Sequence, residues 1–518
     1  MAWTRGWLGR ALALIAGVAA GLAHPPFGFL PGLLGYALLL ATIDGGEPRP
    51  LRSALFRGWL GGVGYFAVGV WWITEPFQVD AREQGWMAPF ALVLMAGGLA
   101  LFWALAAWLY RLARTRGPAR VLVFAGALTV LEWLRGHVAT GFPWDLPGET
   151  WQAGSAPSQF ASVVGAYGLT WGTVAIAAAP AVLALDAKPR GKATTLAAAA
   201  VALAGLWGFG TWRLDHAVKP APGAPMIRIV QADIDQKDKW KPENLGLVFD
   251  TYARLTIRPA KTPPAIVIWP EGALPVVIDD FLAPGSAYAP ALRDLLVPGQ
   301  TLLMGVNRMQ DGPGGKTLYF NSLMAFRREQ DALRVTGIYD KHHLVPFGEY
   351  MPAADLAAKV GFRSLVHMED DFTAGPRSAP IAPYGLPPVQ VLICYEALFP
   401  GVTRDGARRA GRKPAWILNP SNDAWFGQGS GPLQHLNLAS YRAIEAGLPI
   451  IRATPTGVSA VIDAYGRPLA TLGLGALGVI DAPLPPAVEN TGFSRFGNLG
   501  CGVLILLSGL LAVAYRVR

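Results

Sequence analysis

Cysteine and charged residues are scarce in this sequence. It has two cysteines among 518 residues, Cys394 and Cys501. Because Cys501 lies in a hydrophobic run near the C-terminus, the two are poor disulfide partners, and Cys394 is predicted to be a thiol. Only 15% of the residues are charged whereas 52% are hydrophobic, a balance that excludes an ordinary soluble enzyme. The sequence also lacks internal repeats and low-complexity tracts.

Long hydrophobic runs are what the sequence has instead. A bilayer core about 30 Å thick needs roughly 20 apolar residues per helix. Such runs cover residues 7–24, 27–44, 55–74, 87–110, 120–138, 159–185, 194–212 and 497–515. The first run could be a signal peptide, but further hydrophobic runs follow it at once. We therefore predict eight transmembrane helices, seven of them in a membrane domain over residues 1–212.

The basic residues of the short connections predict the orientation, because cytoplasmic loops carry an excess of Lys and Arg. One side has fourteen: Arg5, Arg10, Arg49, Arg52, Arg57, Arg111, Arg114, Arg116, Arg120, Lys188, Arg190, Lys192, Arg516 and Arg518. The alternate loops have only Arg82 and Arg135. Both termini are therefore predicted to be cytoplasmic and residues 213–496 periplasmic. The net charge of +9 is largely this topology signal and does not indicate nucleic-acid binding.

Residues 213–496 differ from the rest of the chain, because charges return and short β-rich segments alternate with helical ones. Strands are predicted in MIRIVQADI, AIVIWPEG, TLLMGVNRM, YFNSLMAF, VQVLICYE, AWILNPSND and GVSAVIDAYG, and helices in ENLGLVFDTYARLTI and QHLNLASYRAIEAG. Several strands are continuous Val, Ile and Leu runs, which are typical of strands buried on both faces. The alternation predicts a layered α/β domain. Residues 497–518 form the eighth helix and a cytoplasmic C-terminus.

Reactive side chains follow predicted strands of this domain. IVIWPEG ends near Glu271, GIYDKHHLVPFGEYMP contains Lys341 and Glu349, and VLICYE leads into Cys394. A cysteine attacks as the thiolate, so it needs a base to take its proton and a cation to stabilise the anion. Glutamate and lysine can supply these roles, but the spacing alone does not show that the residues meet.

The segments WPEG, YDKHHLVPFGEYMP, ICYEALFP and NPSNDAWFG resemble those of the nitrilase superfamily, whose members use a Glu-Lys-Cys triad. Several hydrophobic runs before the domain and one after it make the whole chain similar to the bacterial apolipoprotein N-acyltransferase family. The resemblance implies a nitrilase-like αββα sandwich, with Glu271 as general base, Lys341 as transition-state stabiliser and Cys394 as nucleophile. It also implies that Glu349 assists the site.

The same resemblance implies four residues near the substrate. Tyr395 and Glu396 flank the nucleophile, and Trp240 and Trp425 match aromatic residues near the substrate entrance. The implied reaction moves a fatty acyl group from a phospholipid to the α-amine of the S-diacylglyceryl-cysteine of an apolipoprotein, through a thioester on Cys394. No cofactor or metal is expected, and the protein is expected to be a monomer in the bacterial inner membrane.

Each of these residues also has a structural interpretation. Cys394 could be a small buried hydrophobe, Glu271 a turn or cap carboxylate, Lys341 a solvated lysine and Glu349 a loop anchor. Trp240 and Trp425 could be core or interfacial aromatics. His342 and His343 suggest a metal site, but no third ligand at suitable spacing accompanies them.

Two other functions remain open from the sequence. A membrane-tethered amidase of the nitrilase type would share the triad and differ only in its acceptor, although eight spans exceed what a tether needs. A transporter or receptor would place ionisable residues along its spans. Few are present, and Glu132 and Arg135 lie near a helix end.

Overall fold

The computed structural model describes residues 4–45, 49–113, 115–185, 188–219, 223–352, 371–488 and 490–516. Two of the basic residues counted above, Arg114 and Arg518, lie outside this part of the chain. The described chain divides into two compact units. One unit contains Met1–Ala217, Gly429–Ala446 and Asn490–Arg518, and the other contains Val218–Gln428 and Gly447–Glu489. Residues 429–446 therefore group with the first unit although they lie inside the predicted 213–496 domain, whose boundaries stay a prediction.

The first unit is helical. Its main helices are Gly6–Leu22, Gly35–Asp44, Pro50–Gly69, Ala88–Leu112, Ala119–Arg135, Ala161–Ala178, Pro189–Asp215, Ser430–Ala446 and Leu499–Ala514. A helix thus occupies each of the eight predicted hydrophobic segments. By length and composition, three helical stretches are long and apolar enough to cross a membrane: Ala81–Leu112, Pro157–Leu183 and Pro189–Asp215. Gly6–Leu22, Leu30–Asp44 and Leu499–Ala514 are shorter apolar helices, so the number of spans is not established by these lengths.

Small residues let helices of this unit approach closely, as is common between membrane helices. A Cβ atom on Gly17 would lie 1.8 Å from the carbonyl oxygen of Gly61 on helix Pro50–Gly69. Helix Ala161–Ala178 is interrupted at Gly165, where φ is +72°. A side chain at Gly165 would overlap the ring of Phe493, since its Cβ would lie 2.3 Å from Cε2.

Some of the buried ionisable side chains in the helical unit are paired with one another. Glu132 forms a buried ion pair with Arg135, and it accepts a hydrogen bond of 2.7 Å from Nε1 of Trp103. Helix Ser430–Ala446 carries Arg442, whose guanidinium lies 3.0 Å from Glu149. This buried ion pair ties the helix to its unit. Glu132 and Arg135 therefore have structural partners, which weighs against the transporter interpretation.

The second unit contains two mixed β-sheets. The strands are β1 (Met226–Gln231), β2 (Ile266–Trp269), β3 (Thr301–Asp311), β4 (Thr317–Arg328), β5 (Leu333–Asp340), β6 (Val389–Val391), β7 (Trp416–Pro420), β8 (Ile450–Ala453), β9 (Ser459–Ile462), β10 (Pro468–Leu472) and β11 (Gly478–Pro483). The first sheet has the order β11-β1-β2-β3-β4-β5 and the second β10-β9-β8-β7-β6. Strands β1 to β3 and β6 to β8 run parallel, and the other pairs are antiparallel.

The two sheets share a hydrophobic core. It joins Ile229, Ile268 and Leu323 of the first sheet to Val391 and Leu418 of the second. The opposite face of the first sheet is covered by short helices: Leu245–Thr256, Ile278–Phe281 and Tyr288–Asp294. A helical layer, a sheet and a second sheet are therefore stacked, because parallel strands must bury both faces.

All seven predicted strand segments contain strands, and both predicted helices form. Four strands were not predicted: β5, β8, β10 and β11. In β5 and β10 the residues are mostly exposed or half-buried, so the apolar pattern on which the prediction depends is weak. Strand β8 is fully buried but has only four residues, a length at which periodicity carries little information.

Candidate active site

The predicted triad residues lie just beyond the carboxyl ends of three strands. Glu271 follows β2, Lys341 follows β5 and Cys394 follows β6. Strand β5 is parallel to β2, because each step from β3 through β4 to β5 is antiparallel, so these two ends lie at the same edge of the first sheet. Gly305 in β3 permits the turn after β2: a Cβ there would lie 2.4 Å from the carbonyl oxygen of Pro270.

Both carboxylate oxygens of Glu271 accept hydrogen bonds from the protein. Oε1 accepts from Nδ2 of Asn321 at 2.7 Å and from Nζ of Lys341 at 3.2 Å. Oε2 accepts from the backbone amide of Asn422 at 2.6 Å. Glu271 is 7% exposed, and these donors stabilise its charge against burial.

Lys341 lies between two glutamates. Its Nζ atom is 3.2 Å from Oε1 of Glu271 and 2.9 Å from Oε1 of Glu349. Burial by itself would lower the pKa of Lys341, but the charges of Glu271 and Glu349 outweigh it and raise the pKa above its ordinary value. The side chain is therefore an ammonium at neutral pH, and it can stabilise an oxyanion.

Glu349 is held from both sides. Its Oε1 accepts a hydrogen bond of 2.7 Å from Nδ2 of Asn321, and its Oε2 accepts one of 2.8 Å from the backbone amide of Val345. The Asn321 amide thus bridges Glu271 and Glu349 and fixes the position of both acceptors of Lys341. The structure brings Glu271, Lys341 and Glu349 together, and the role of each stays a prediction.

Cys394 lies at a strained turn between a strand and a 3-10 helix. Its φ is +48°, a backbone region that side chains other than glycine seldom adopt, and it begins helix Cys394–Leu398. Burial and the charge of Glu271 raise the pKa of the thiol to about 12, although the ammonium of Lys341 opposes this. At rest the thiol is therefore protonated.

Glu396 connects the turn at Cys394 to the segment that follows β5. Its Oε1 accepts hydrogen bonds from the Tyr339 hydroxyl at 2.8 Å and from the amides of His342 and His343 at 2.9 and 3.2 Å. Its Oε2 accepts from the amide of Ile393 at 2.9 Å. Burial raises the pKa of Glu396, and these donors partly counter that effect. The carboxylate therefore positions Cys394 relative to Lys341, and its predicted contact with substrate stays a prediction.

The predicted aromatic residues lie in three places. Tyr395 is buried, and its ring packs edge-on against Phe399 at 5.2 Å. Trp240 follows helix Gln236–Lys239, and Nζ of Lys239 lies 5.6 Å from its ring centre. Trp425 lies in the 3-10 helix Asp423–Phe426 and is partly exposed. Their contacts with substrate stay predictions.

The sequence analysis missed Asn321. It also missed a buried polar support near Cys394, which consists of Ser421, Asp423 and Arg452. Asn321 lies inside β4, where an asparagine in an apolar strand is a weak signal. The support contains an ion pair of 2.6 Å between Arg452 and Asp423, and Asp423 accepts a hydrogen bond of 2.8 Å from Ser421. Arg452 in the short strand β8 could have been noticed as a charge within an apolar run.

The histidine pair has protein partners. Nδ1 of His342 is 2.8 Å from the carbonyl oxygen of Gly375, and the His343 ring stacks on Phe399 at 4.5 Å. Burial lowers the pKa of His343 to about 4. Over the described ranges, no group of three or more His, Cys, Asp or Glu side chains could hold a metal ion.

The arrangement fits acyl chemistry on a thiol. A carboxylate and an ammonium lie close enough to a buried thiol to shift its pKa in opposite directions. Such a set can support proton removal, nucleophilic attack and stabilisation of an oxyanion. The positive φ at Cys394 holds the thiol at the start of a helix rather than along the strand.

Two family models match the chain. Residues 16–179 match the apolipoprotein N-acyltransferase N-terminal domain, and residues 226–491 match the carbon-nitrogen hydrolase model. The chain is 55% identical to the apolipoprotein N-acyltransferase of Caulobacter vibrioides over 100% of its own length and 97% of the relative's. It is 40% and 39% identical to the proteins of the same name from Bradyrhizobium diazoefficiens and Rhodopseudomonas palustris, each over 99% of this chain and 96% of the relative.

Proposed function

The chain belongs to the apolipoprotein N-acyltransferase family, and we propose that it transfers a fatty acyl chain from a membrane phospholipid to a lipoprotein. The acceptor is the α-amino group of the N-terminal S-diacylglyceryl-cysteine. One observation carries the proposal: Nζ of Lys341 lies 3.2 Å from Glu271 and 2.9 Å from Glu349, near a buried thiol. The charge of Glu271 raises the pKa of this Cys394 thiol and that of Lys341 lowers it.

In the first half-reaction Glu271 takes the proton of Cys394 as the sulfur attacks an ester carbonyl of the phospholipid. The carbonyl oxygen becomes an oxyanion, and the Lys341 ammonium stabilises it. The C–O bond to glycerol then breaks, and Glu271 returns the proton to the leaving oxygen. A lysophospholipid is released, and a thioester remains on Cys394.

In the second half-reaction the neutral lipoprotein amine attacks the thioester carbonyl. Glu271 accepts a proton from the amine, the C–S bond breaks, and the sulfur leaves as a thiolate that takes this proton back from Glu271. The product is an amide, so the acyl group is moved without net oxidation or reduction. Burial of Cys394 supports this order of events, because the thioester must be kept from water between the two steps.

The proposed setting is the bacterial inner membrane, with eight spans, both termini in the cytoplasm and the catalytic domain in the periplasm. The fourteen basic residues against two support this orientation. The two stacked sheets and their helical layer support a complete αββα sandwich. We also propose that the protein acts as a monomer.

Mass spectrometry of the purified protein after incubation with phospholipid tests the proposal. We expect one added acyl chain on Cys394, and its loss when a diacylglyceryl-cysteine peptide is then added. In Cys394→Ala no adduct is expected, whereas Cys501→Ala, the matched control, keeps it. An adduct that water alone removes at the same rate as the peptide would instead indicate a hydrolase. An adduct retained in Cys394→Ala would contradict the assigned nucleophile.

A further inference from the structure

Two buried hydrogen-bond donors on one short helix have no acceptor among the residues that the structure describes. They are Nζ of Lys239 and Nε2 of Gln236. The two side chains are three residues apart on helix Gln236–Lys239 and so lie on the same face. Lys239 is 2% exposed and Gln236 is 7% exposed. Buried donors are unfavourable without acceptors, and two together indicate that an acceptor belongs there.

Both side chains lie near residues that adjoin or contact Glu271. Nζ of Lys239 is 3.7 Å from the position that a Cβ atom would take on Gly272, the residue after Glu271. Oε1 of Gln236 accepts a hydrogen bond of 3.3 Å from Nδ2 of Asn422, whose backbone amide donates to Glu271. The proposed ligand would therefore lie next to the reacting groups.

The contacts of Asn422 fix the orientation of the Gln236 amide. Oδ1 of Asn422 accepts from the backbone amide of Ala424 at 3.4 Å, so its Nδ2 faces Gln236. Gln236 must then present its oxygen to Asn422 and keep its Nε2 for another acceptor. Rotation of the amide group would set two donors against each other.

Glu271 does not supply the missing acceptor for Lys239. No hydrogen bond joins Nζ of Lys239 to a Glu271 oxygen. The donors to these oxygens are Asn321, Lys341 and Asn422. Burial lowers the pKa of Lys239 to about 8, and the charge of Glu271 opposes this only in part. A bound anion would favour the ammonium form.

The charges around the triad suggest which anion fits. Glu271 and Glu349 face one cation, Lys341, and the resulting negative charge would repel a phosphodiester. Lys239 adds a second cation on the Glu271 side. In a phospholipid the phosphodiester is separated from the acyl ester only by the glycerol backbone, so one molecule can reach both places.

We propose that Lys239 and Gln236 bind the phosphodiester of the acyl donor and thereby position its ester at Cys394. This site rests on the proposed transfer from a phospholipid. The site can fail while the transfer stands, and the experiment below separates these outcomes. Lys239 is a binding and positioning residue for the donor half-reaction, and it takes no part in the proton transfers.

Acylation of Cys394 is measured with two donors of the same chain: dipalmitoyl phosphatidylethanolamine and p-nitrophenyl palmitate, which has no phosphate. In Lys239→Met the preference for the phospholipid, given as the ratio of the two kcat/KM values, should fall about 10- to 100-fold, as for a lost charge-assisted hydrogen bond. Gln236→Met should lower it less. Lys239→Arg keeps the cation and should keep most of the preference, and Lys237→Met, an exposed lysine on the same helix, should match the parent.

An equal fall with both esters in Lys239→Met would overturn the proposal, because Lys239 would then act through Glu271 or the fold. An unchanged preference in Lys239→Met would overturn it as well. If neither donor acylates the parent protein, the acyl-transfer function itself fails, and the phosphodiester site fails with it.

Discussion

The reactivity of Cys394 depends on the balance of charges around one thiol. Burial and the Glu271 carboxylate oppose the thiolate, whereas Lys341 favours it. Burial and the Glu271 charge prevail, so the resting thiol keeps its proton. Such a thiol is protected from side reactions, and in the proposed mechanism Glu271 removes its proton only when an ester is in place.

Alkylation of Cys394 by iodoacetamide should therefore be slow and rise steeply with pH. At neutral pH, a thiol of pKa about 12 has roughly one three-thousandth of the thiolate of an ordinary cysteine, whose pKa is about 8.5. The rate should still be rising tenfold per pH unit above pH 9. In Glu271→Gln the profile should move to lower pH, because the opposing negative charge is gone. Cys501→Ala serves as the single-thiol background, and a plateau below pH 8.5 in that background would contradict the argument.

At the scale of elements, the site lies at strand ends whose relative positions are fixed by buried polar contacts. Glu396 ties the amides after β5 to the turn after β6, and Asn321 in β4 ties Glu271 to Glu349. Each of these side chains joins segments distant in sequence. Their loss should separate the reacting groups without removing any of them.

Glu396→Gln should slow acylation of Cys394 by about tenfold or more while the thiol remains present. One carboxylate oxygen is replaced by an NH2 group that faces existing donors, and hydrogen bonds to charged groups contribute about 1.5 to 3 kcal/mol each. Tyr339→Phe, the control, removes a single hydroxyl donor and should have a smaller effect. The acylation rate and the apparent Tm in detergent are measured together. A folded Glu396→Gln protein that acylates at the parent rate would show that this connection is dispensable.

At the scale of the whole molecule, the uneven distribution of basic residues predicts on which side each part of the chain lies. The short connections with Lys and Arg alternate with connections that have almost none. The same alternation predicts that the catalytic domain lies in the periplasm, where lipoprotein acceptors would meet it. Substrate and orientation are thus linked.

Labelling of introduced cysteines tests the orientation. Thr262 and Lys188 are both exposed, Thr262 in the catalytic unit and Lys188 in a connection predicted to be cytoplasmic. In spheroplasts, a membrane-impermeant maleimide should label Thr262→Cys at once and Lys188→Cys only after lysis. Cys501→Ala again provides the background, and buried Cys394 should react little. The reverse pattern would place the catalytic domain in the cytoplasm and would contradict the proposed acceptor.

The positions of most helices and strands, and the candidate site residues, could be predicted from sequence, because they depend on short continuous segments. Hydrophobic length locates the helices, the continuous apolar runs locate β1, β2 and β7, and the motifs around Glu271, Lys341 and Cys394 indicate the chemistry. Short or exposed strands such as β8 and β10 could not be predicted, because their apolar pattern is too brief or too weak.

Other features depend on tertiary structure alone. The contacts of Asn321 and Glu396 join segments that are far apart in sequence. Only the folded chain shows that the buried donors of Lys239 and Gln236 have no acceptor among the described residues. The association of helix Ser430–Ala446 with the helical unit depends in the same way on the buried pairing of Arg442 with Glu149. A residue type states which bonds a side chain can form, but only the folded chain decides which partners lie within reach and which donors remain for a ligand.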